Sequence, residues 1–306
     1  MNMKRLCELW PVMITPFTHD GKIDYDSLLR LIKWYEDRGA TGLFAACQSS
    51  EIFYLSLEER VELVRFVVQH ARIPVIASGH VSDDLADQIE ELKLMHAAGA
   101  QALILITNRL AKQDDPPEVF MRNLRTIMDA LPADVPLGFY ECPYPYKRLI
   151  SLDELKWCAE SGRFHFMKDT CCNIEIIKQR LEVIQGAPLK LFNANTTTLL
   201  DSLKAGAAGF SGVMMNFHPE LYAWLVRSWQ EQPENAQLVQ DFLTVFSFIE
   251  LQVYPVNAKF HLQTVEHVLT DTYTRTKPNT LLTDTGKEEV RQLACAAKAV
   301  LETFCR

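Results

Sequence analysis

Short apolar segments alternate with amphipathic helical patterns along most of the chain, and this rhythm constrains the fold more than any other feature. Strand-like runs begin near Leu9, Gly42, Pro74, Ala102, Pro136, Phe164, Lys190 and Ala208. The first is expected over 9–15. Helical spacing predicts helices over 25–38, 57–69, 82–98, 117–131 and 151–160, then 175–184, 197–204 and 219–229. Ser56 and Glu59 stand at capping-box spacing before the second helix, and Gly99 marks the end of the third. Apolar strands separated by helices belong to a parallel sheet covered by helices. Eight such units favour closure into a (β/α)8 TIM barrel over an open doubly wound sheet. No GxGxxG follows the first strand, so a dinucleotide fold has no support. From residue 235 the strands stop, and helices are expected over 236–253, 256–269 and 287–304. The chain therefore reads as an α/β barrel over 1–234 with a helical extension over 235–306, joined in one structural unit without a flexible linker.

A formal charge of −8 with no basic cluster argues against nucleic acid as a partner. The positive charges of Met1–Arg5 precede an apolar run that Glu8 and Pro11 break. That is neither a signal peptide nor a membrane span, so a cytoplasmic protein without a membrane partner is expected. Eight cysteines are scattered without a CxxC pair, and Cys171 and Cys172 are adjacent. Reduced thiols fit this pattern better than a disulfide framework, and no metal site is expected from them.

The chemistry centres on the strand 164–169, which carries Lys168 near its end. Alternation puts Phe164, Phe166 and Lys168 on one face. A lysine buried beside phenylalanines loses its proton more easily, and a neutral amine is the nucleophile of Schiff-base chemistry. The alternative is a lysine that snorkels to solvent from the strand end. In a barrel of this kind reacting groups collect at the C-terminal ends of the strands. Those ends offer Gln48, Ser49 and Ser50 after the second strand, His80 after the third, and Tyr140 at the end of the fifth. Thr170, Asn195 and Ser211 follow the sixth, seventh and eighth. Tyr140 shares a face with Gly138, which leaves room inside the barrel, and its phenol is expected to carry protons. It could equally be a large core aromatic. His80 is expected at the mouth, as a substrate ligand or proton shuttle or as a loop histidine with no role. His218 is read as a weaker candidate that begins a helix.

These residues carry a resemblance. Ile14-Thr15-Pro16-Phe17, the stretch 42–56 with Glu51 and Leu55-Ser56, Tyr140 with Pro143, and Lys168-Asp169-Thr170 follow one another in a familiar order. Gly206-Ala207-Ala208-Gly209-Phe210 and Tyr254-Pro255-Val256 with Lys259 complete it. The chain resembles the N-acetylneuraminate lyase and dihydrodipicolinate synthase family of class I aldolases over essentially its whole length. The resemblance implies a barrel with a C-terminal helical extension, a homotetramer or dimer, and a Schiff base between Lys168 and pyruvate or another 2-oxo acid. It implies Tyr140 as the proton carrier, the 48–50 loop as the carboxylate site, and no metal or organic cofactor.

The departures bear on substrate. The family's Gly-Thr-Thr-Gly-Glu loop is here Cys47-Gln48-Ser49-Ser50-Glu51. Gln48 replaces a relay hydroxyl with an amide, and Ser50 replaces a glycine, which would strain any positive φ there. Synthases that make dihydrodipicolinate carry a tyrosine after strand four and an arginine past the catalytic tyrosine. Here those places hold the tyrosine-free run 106–110 and Pro145. Sialic acid lyases place an Asp and a Glu where this chain has Thr196 and Thr197. Cleavage or condensation of a 2-keto-3-deoxy sugar-acid-like 2-oxo acid is the expected activity. A Schiff-base dehydratase of a related acid and a non-catalytic small-acid-binding relative are the alternatives.

Overall fold

The computed structural model describes residues 7–305. Its strands are β1 (Glu8–Leu9), β2 (Leu43–Ala45), β3 (Val75–Ala77), β4 (Ala102–Ile106), β5 (Leu137–Tyr140), β6 (Phe164–Asp169), β7 (Lys190–Asn193) and β8 (Gly209–Phe210). They form one parallel sheet in the order β1-β8-β7-β6-β5-β4-β3-β2. Its two ends meet where Val12 bridges Phe44, with Met13 N donating to Phe44 O at 3.0 Å. The sheet thus closes into a barrel and leaves no open edge. The strand expected over 9–15 is split: Glu8–Leu9 pair with β8, and Val12 bridges Phe44 of β2. Pro11 lies between the two pieces and has no N–H for a continuous ladder.

Helices follow the strands close to the expected bounds, as at Tyr25–Asp37, Leu57–His70 and Leu85–Ala97. The capping box is formed, with Glu59 N donating to Ser56 Oγ and Ser56 N to Glu59 Oε2 at 2.9 Å. The barrel interior is filled by aromatic rings. Phe166 stacks on Phe192 at 4.5 Å and meets Trp10 and Phe44 edge-on. This layer is a packed floor beneath the C-terminal mouth.

Two details of β5 and β6 differ from simple alternation. The register between these strands slips, so Leu137 pairs with Phe164 but Gly138 with Phe166. The extra residue, His165, turns Phe164 to the helix-facing side, where it stacks on Phe139 at 4.5 Å. Phe164 therefore does not share the face of Lys168; Phe166 does. A Cβ on Gly138 would lie 2.6 Å from Phe166 O, so this glycine permits close strand approach rather than opening cavity space.

The helix expected over 236–253 is broken. Pro233–Phe246 is α-helical, Ser247–Leu251 tightens to a 3₁₀ turn, and Gln252 is extended. Pro255 explains the exit, since it cannot donate to a helix and biases the residue before it away from α. The helix expected over 256–269 ends at Thr264. His267 takes φ 55 there, and Val268 N reaches back to Leu262 O at 2.7 Å in a Schellman-type closure. Asp284–Phe304 is the last helix, and one hydrophobic core runs through barrel and extension.

The segment Met1–Arg5, read as no export signal, lies outside the described residues. Among the described residues no helix is long and apolar enough to cross a membrane. Cys47, Cys142, Cys158, Cys171, Cys172, Cys295 and Cys305 are free thiols.

Candidate active site

Lys168, the last residue but one of β6, lies at the floor of a cavity of about 410 Å³ in the C-terminal mouth of the barrel. Its side chain is 4% exposed, and Nζ lies 4.2 Å from the centre of the Tyr140 ring. Among the described residues Nζ makes no ion pair and no hydrogen bond. Burial pulls its pKa below the ordinary 10.5, against the opposing pull of the Cys47 and Cys142 thiols and Glu250. An amine held this way reaches its neutral, nucleophilic form more easily than a surface lysine.

The strand ends beside it are fixed from outside the barrel. Asp169 points away from the cavity to the Arg180 guanidinium, which also grips Glu141 Oε1 at 2.6 Å. Glu141 Oε2 accepts from Thr170 N at 3.0 Å. One buried arginine thus ties the residue after Tyr140 to the residue after Lys168, which sets the two reacting groups at a constant spacing. On the cavity side Tyr140 OH donates to Gln48 Oε1 at 3.3 Å, and Cys142 Sγ donates to the same oxygen at 3.4 Å. Burial raises the Tyr140 phenol well above 10.

The 48–50 loop forms the opposite wall. Ser49 Oγ accepts from Tyr254 OH at 2.8 Å, and Asn216 Nδ2 donates to that phenol at 3.2 Å. Tyr35 OH donates in turn to Asn216 Oδ1. The left-handed positions of the loop are Ala46 (φ 47) and Glu51 (φ 60), not Ser50, so the strain expected at the serine is absent there. Glu51 turns inward to Lys259 Nζ at 2.7 Å and accepts from Arg275 N and Thr276 N. Through Glu51 the loop is bonded to the C-terminal extension.

Of the residues singled out in the sequence, the fold brings Gln48, Ser49, Tyr140, Lys168, Thr170 and Asn195 to one cavity. Three others lie elsewhere. Ser50 Oγ donates to Met13 O at 2.7 Å and Ser211 Oγ to Trp10 O at 2.9 Å, so both hydroxyls serve the barrel wall. His80 is fully buried, and its expected place at the mouth is corrected. Its Nε2 accepts from Ile106 N at 2.7 Å while Nδ1 meets Gln88 Oε1 at 3.2 Å. Burial lowers its pKa to about 4, so it is neutral and structural. His218 precedes the helix Pro219–Ser228 and is buried. Arg148 is bonded to Glu154 and lies over the Phe120 ring, while the neighbouring Lys147 lines the cavity and donates to Thr170 O at 2.8 Å.

Tyr254 and Glu250 are among the lining residues to which the sequence assigned no role. Tyr254 stood within the quoted Tyr254-Pro255-Val256 motif, so a signal existed. Glu250 sat within an expected helix with no signal at all, and only the break at 247–255 turns it to the mouth.

The pattern of the dihydrodipicolinate synthetase family matches residues 5–297 of the chain. The chain belongs to this family. Among curated relatives, the 4-hydroxy-tetrahydrodipicolinate synthase of Gluconobacter oxydans is 31% identical over 238 residues, covering 76% of this chain and 77% of its own. That of Gluconacetobacter diazotrophicus is 28% identical, again over 76% and 77%. Among solved structures, YagE of E. coli K12, a prophage protein of the dihydrodipicolinic acid synthase family crystallised with pyruvate, matches with TM-score 0.85 at 20% identity. That match covers 95% of this chain and 98% of YagE. The synthase of Methylacidiphilum fumariolicum matches at 0.85 and 22%, over 98% of both chains. At such identities these structures speak for the fold. As a member of the dihydrodipicolinate synthetase family the protein is an enzyme, a lyase of the class I aldolase type.

Proposed function

We propose that Lys168 forms a Schiff base with pyruvate or a longer 2-oxo acid, and that the protein cleaves or condenses a 2-keto-3-deoxy sugar-acid-like substrate through it. The observation that carries this reading is the buried, unpaired Lys168 at the floor of the cavity, stacked on Tyr140. The amine adds to the ketone, water leaves, and the protonated imine draws electrons from the neighbouring carbon. Tyr140 moves protons at the imine face, and Ser49 with the adjacent backbone N–H groups receives the carboxylate. A cavity of about 410 Å³ exceeds what pyruvate fills, which supports a substrate with a further carbon chain. Thr170 and Asn195 line the same cavity and would serve as hydrogen-bond partners for hydroxyls on that chain.

The test is reduction with sodium borohydride in the presence of pyruvate, followed by peptide mass mapping. A reduced adduct on Lys168 is expected. If neither pyruvate nor longer 2-oxo acids leave an adduct there, the reading fails in favour of a binding protein. Product analysis on sugar-derived 2-oxo acids then separates carbon–carbon cleavage from dehydration, which share their first steps.

A further inference from the structure

The polar groups of the cavity are not balanced between donors and acceptors. Gln48 Oε1 is taken by the Tyr140 phenol and the Cys142 thiol, so Nε2 is the free end of that amide. Ser49 Oγ accepts from Tyr254 OH, which leaves its own proton to give. Both stand on the loop after β2, where the Schiff-base reading puts the carboxylate beside the ketone. A second set of donors lies on another wall, around Thr170.

Lys147 reaches that wall from the segment after β5. Asn108 Nδ2 lies 2.8, 2.9 and 2.6 Å from the carbonyl oxygens of Cys142, Tyr144 and Tyr146, and Tyr146 OH donates back to Asn108 O at 2.9 Å. Thr107 Oγ1 holds Arg148 O at 2.6 Å. So pinned, the segment delivers Lys147 to the cavity, where Nζ gives one of its three N–H groups to Thr170 O at 2.8 Å. On the other flank of Thr170, Ala194 N donates to Asp169 O at 2.9 Å and brings Asn195 alongside. Asn195 Oδ1 accepts from Thr198 N and Thr198 Oγ1, both at 3.1 Å. Those bonds fix the orientation of the amide, and its Nδ2 has no partner among the described residues. Thr170 Oγ1 itself donates to Glu141 O at 2.8 Å, so toward a ligand it only accepts.

Charge runs the same way. The chain carries a formal charge of −8, yet Lys147 and Lys277 both line the cavity without an ion pair among the described residues. Of the two carboxyls that line it, Glu51 is held by Lys259 at 2.7 Å, and Glu250 is paired with neither lysine. Arg148, next in sequence to Lys147, is bonded to Glu154. The unused N–H groups of an ammonium and an amide on either side of one residue make a place for an oxygen anion. We propose that Lys147 and Asn195 bind a second anionic group at the far end of the substrate, a carboxylate or a phosphate. The enzyme then acts on 2-oxo acids charged at both ends. This deepens the Schiff-base reading and rests on it. It assigns the Asn195 amide to the anion and leaves a chain hydroxyl to Thr170.

Imine trapping tests this without turnover. The concentration that half-saturates the borohydride adduct on Lys168 is measured for 2-oxoglutarate, for its analogue with a phosphonate in place of the distal carboxylate, and for its distal methyl ester. Each value is divided by that for pyruvate on the same protein, since pyruvate has no far end and a general disturbance of Lys168 then cancels. In the wild type at least one of the two charged acids should half-saturate roughly tenfold below the ester. Which of them is tighter tells whether the site prefers a carboxylate or a phosphate. K147Q and N195D should each bring charged acid and ester to within about threefold of one another. N195D keeps an oxygen for Thr198 and replaces the free donor with a negative charge. Equal half-saturation by charged acids and ester in the wild type overturns the proposal. So does a preference that survives both substitutions, which would place the anion elsewhere, as at Lys277. If the wild type traps no 2-oxo acid at all, pyruvate included, the Schiff-base reading fails first and the proposal falls with it.

Discussion

Two lysines are buried among the described residues, and their surroundings separate chemistry from architecture. Lys259 is fully buried over the Phe17 ring at 4.3 Å, and Lys168 sits over the Tyr140 ring at 4.2 Å. Burial lowers both; Lys259 falls to about 8. The difference is in their partners. Lys259 donates to Glu51 Oε1 and to Tyr273 O, each at 2.7 Å, so its charge is matched and it stays an ammonium at neutral pH. Lys168 has no such partner and opens on a cavity. Burial alone does not make a nucleophile. A buried amine becomes one when no carboxylate or carbonyl is hydrogen-bonded to its charged form.

The sharpest way to break this comparison is to remove each amine. Lys168→Met should lower turnover of any Schiff-base substrate by roughly ten-thousandfold or more, with borohydride adducts absent and the thermal midpoint not lowered. A lower midpoint would show that the Lys168 charge is structural after all. Lys259→Met leaves the Glu51 carboxylate buried without its cation, at a cost of about 3–5 kcal/mol. Its midpoint should fall by roughly 10 °C, read by calorimetry or circular dichroism. A stable Lys259→Met protein would erase the distinction between the two lysines. Tyr140→Phe sharpens the active-site half: the imine should still be trapped while turnover falls about a hundredfold. Tyr254→Phe removes the bond to Ser49 and should raise KM for the 2-oxo acid roughly fivefold, from about 1 kcal/mol of lost positioning, with kcat little changed.

Much of this site was legible without coordinates. Lys168 and Tyr140 could be picked out because each stands at or next to the end of an apolar strand, and strand ends in such a barrel converge. Ser49, Gln48, Thr170 and Asn195 followed by the same rule. It failed for His80 and Ser211, which also follow strands. Whether a side chain after a strand turns to the mouth or to the wall depends on one or two backbone angles, and His80 was taken by the N–H of Ile106 on the neighbouring strand. Phe164 failed for a similar reason, since the slip at β5–β6 reverses its face. Glu250 was invisible because a residue inside a helical pattern has no assigned direction until the helix breaks.

The sequence by itself determined the periodic pattern, and with it the eight strands, the covering helices and the helical extension. Those follow from local spacing of apolar residues and from caps and prolines close by. The tertiary structure decided which polar groups meet. Glu51 with Lys259 are joined across 208 positions, and Tyr254 with Ser49 across 205. Glu250 and Lys168, likewise far apart in sequence, come to line one cavity. Such pairings depend on barrel closure and on the path of the chain through 247–259, and no short-range pattern encodes either.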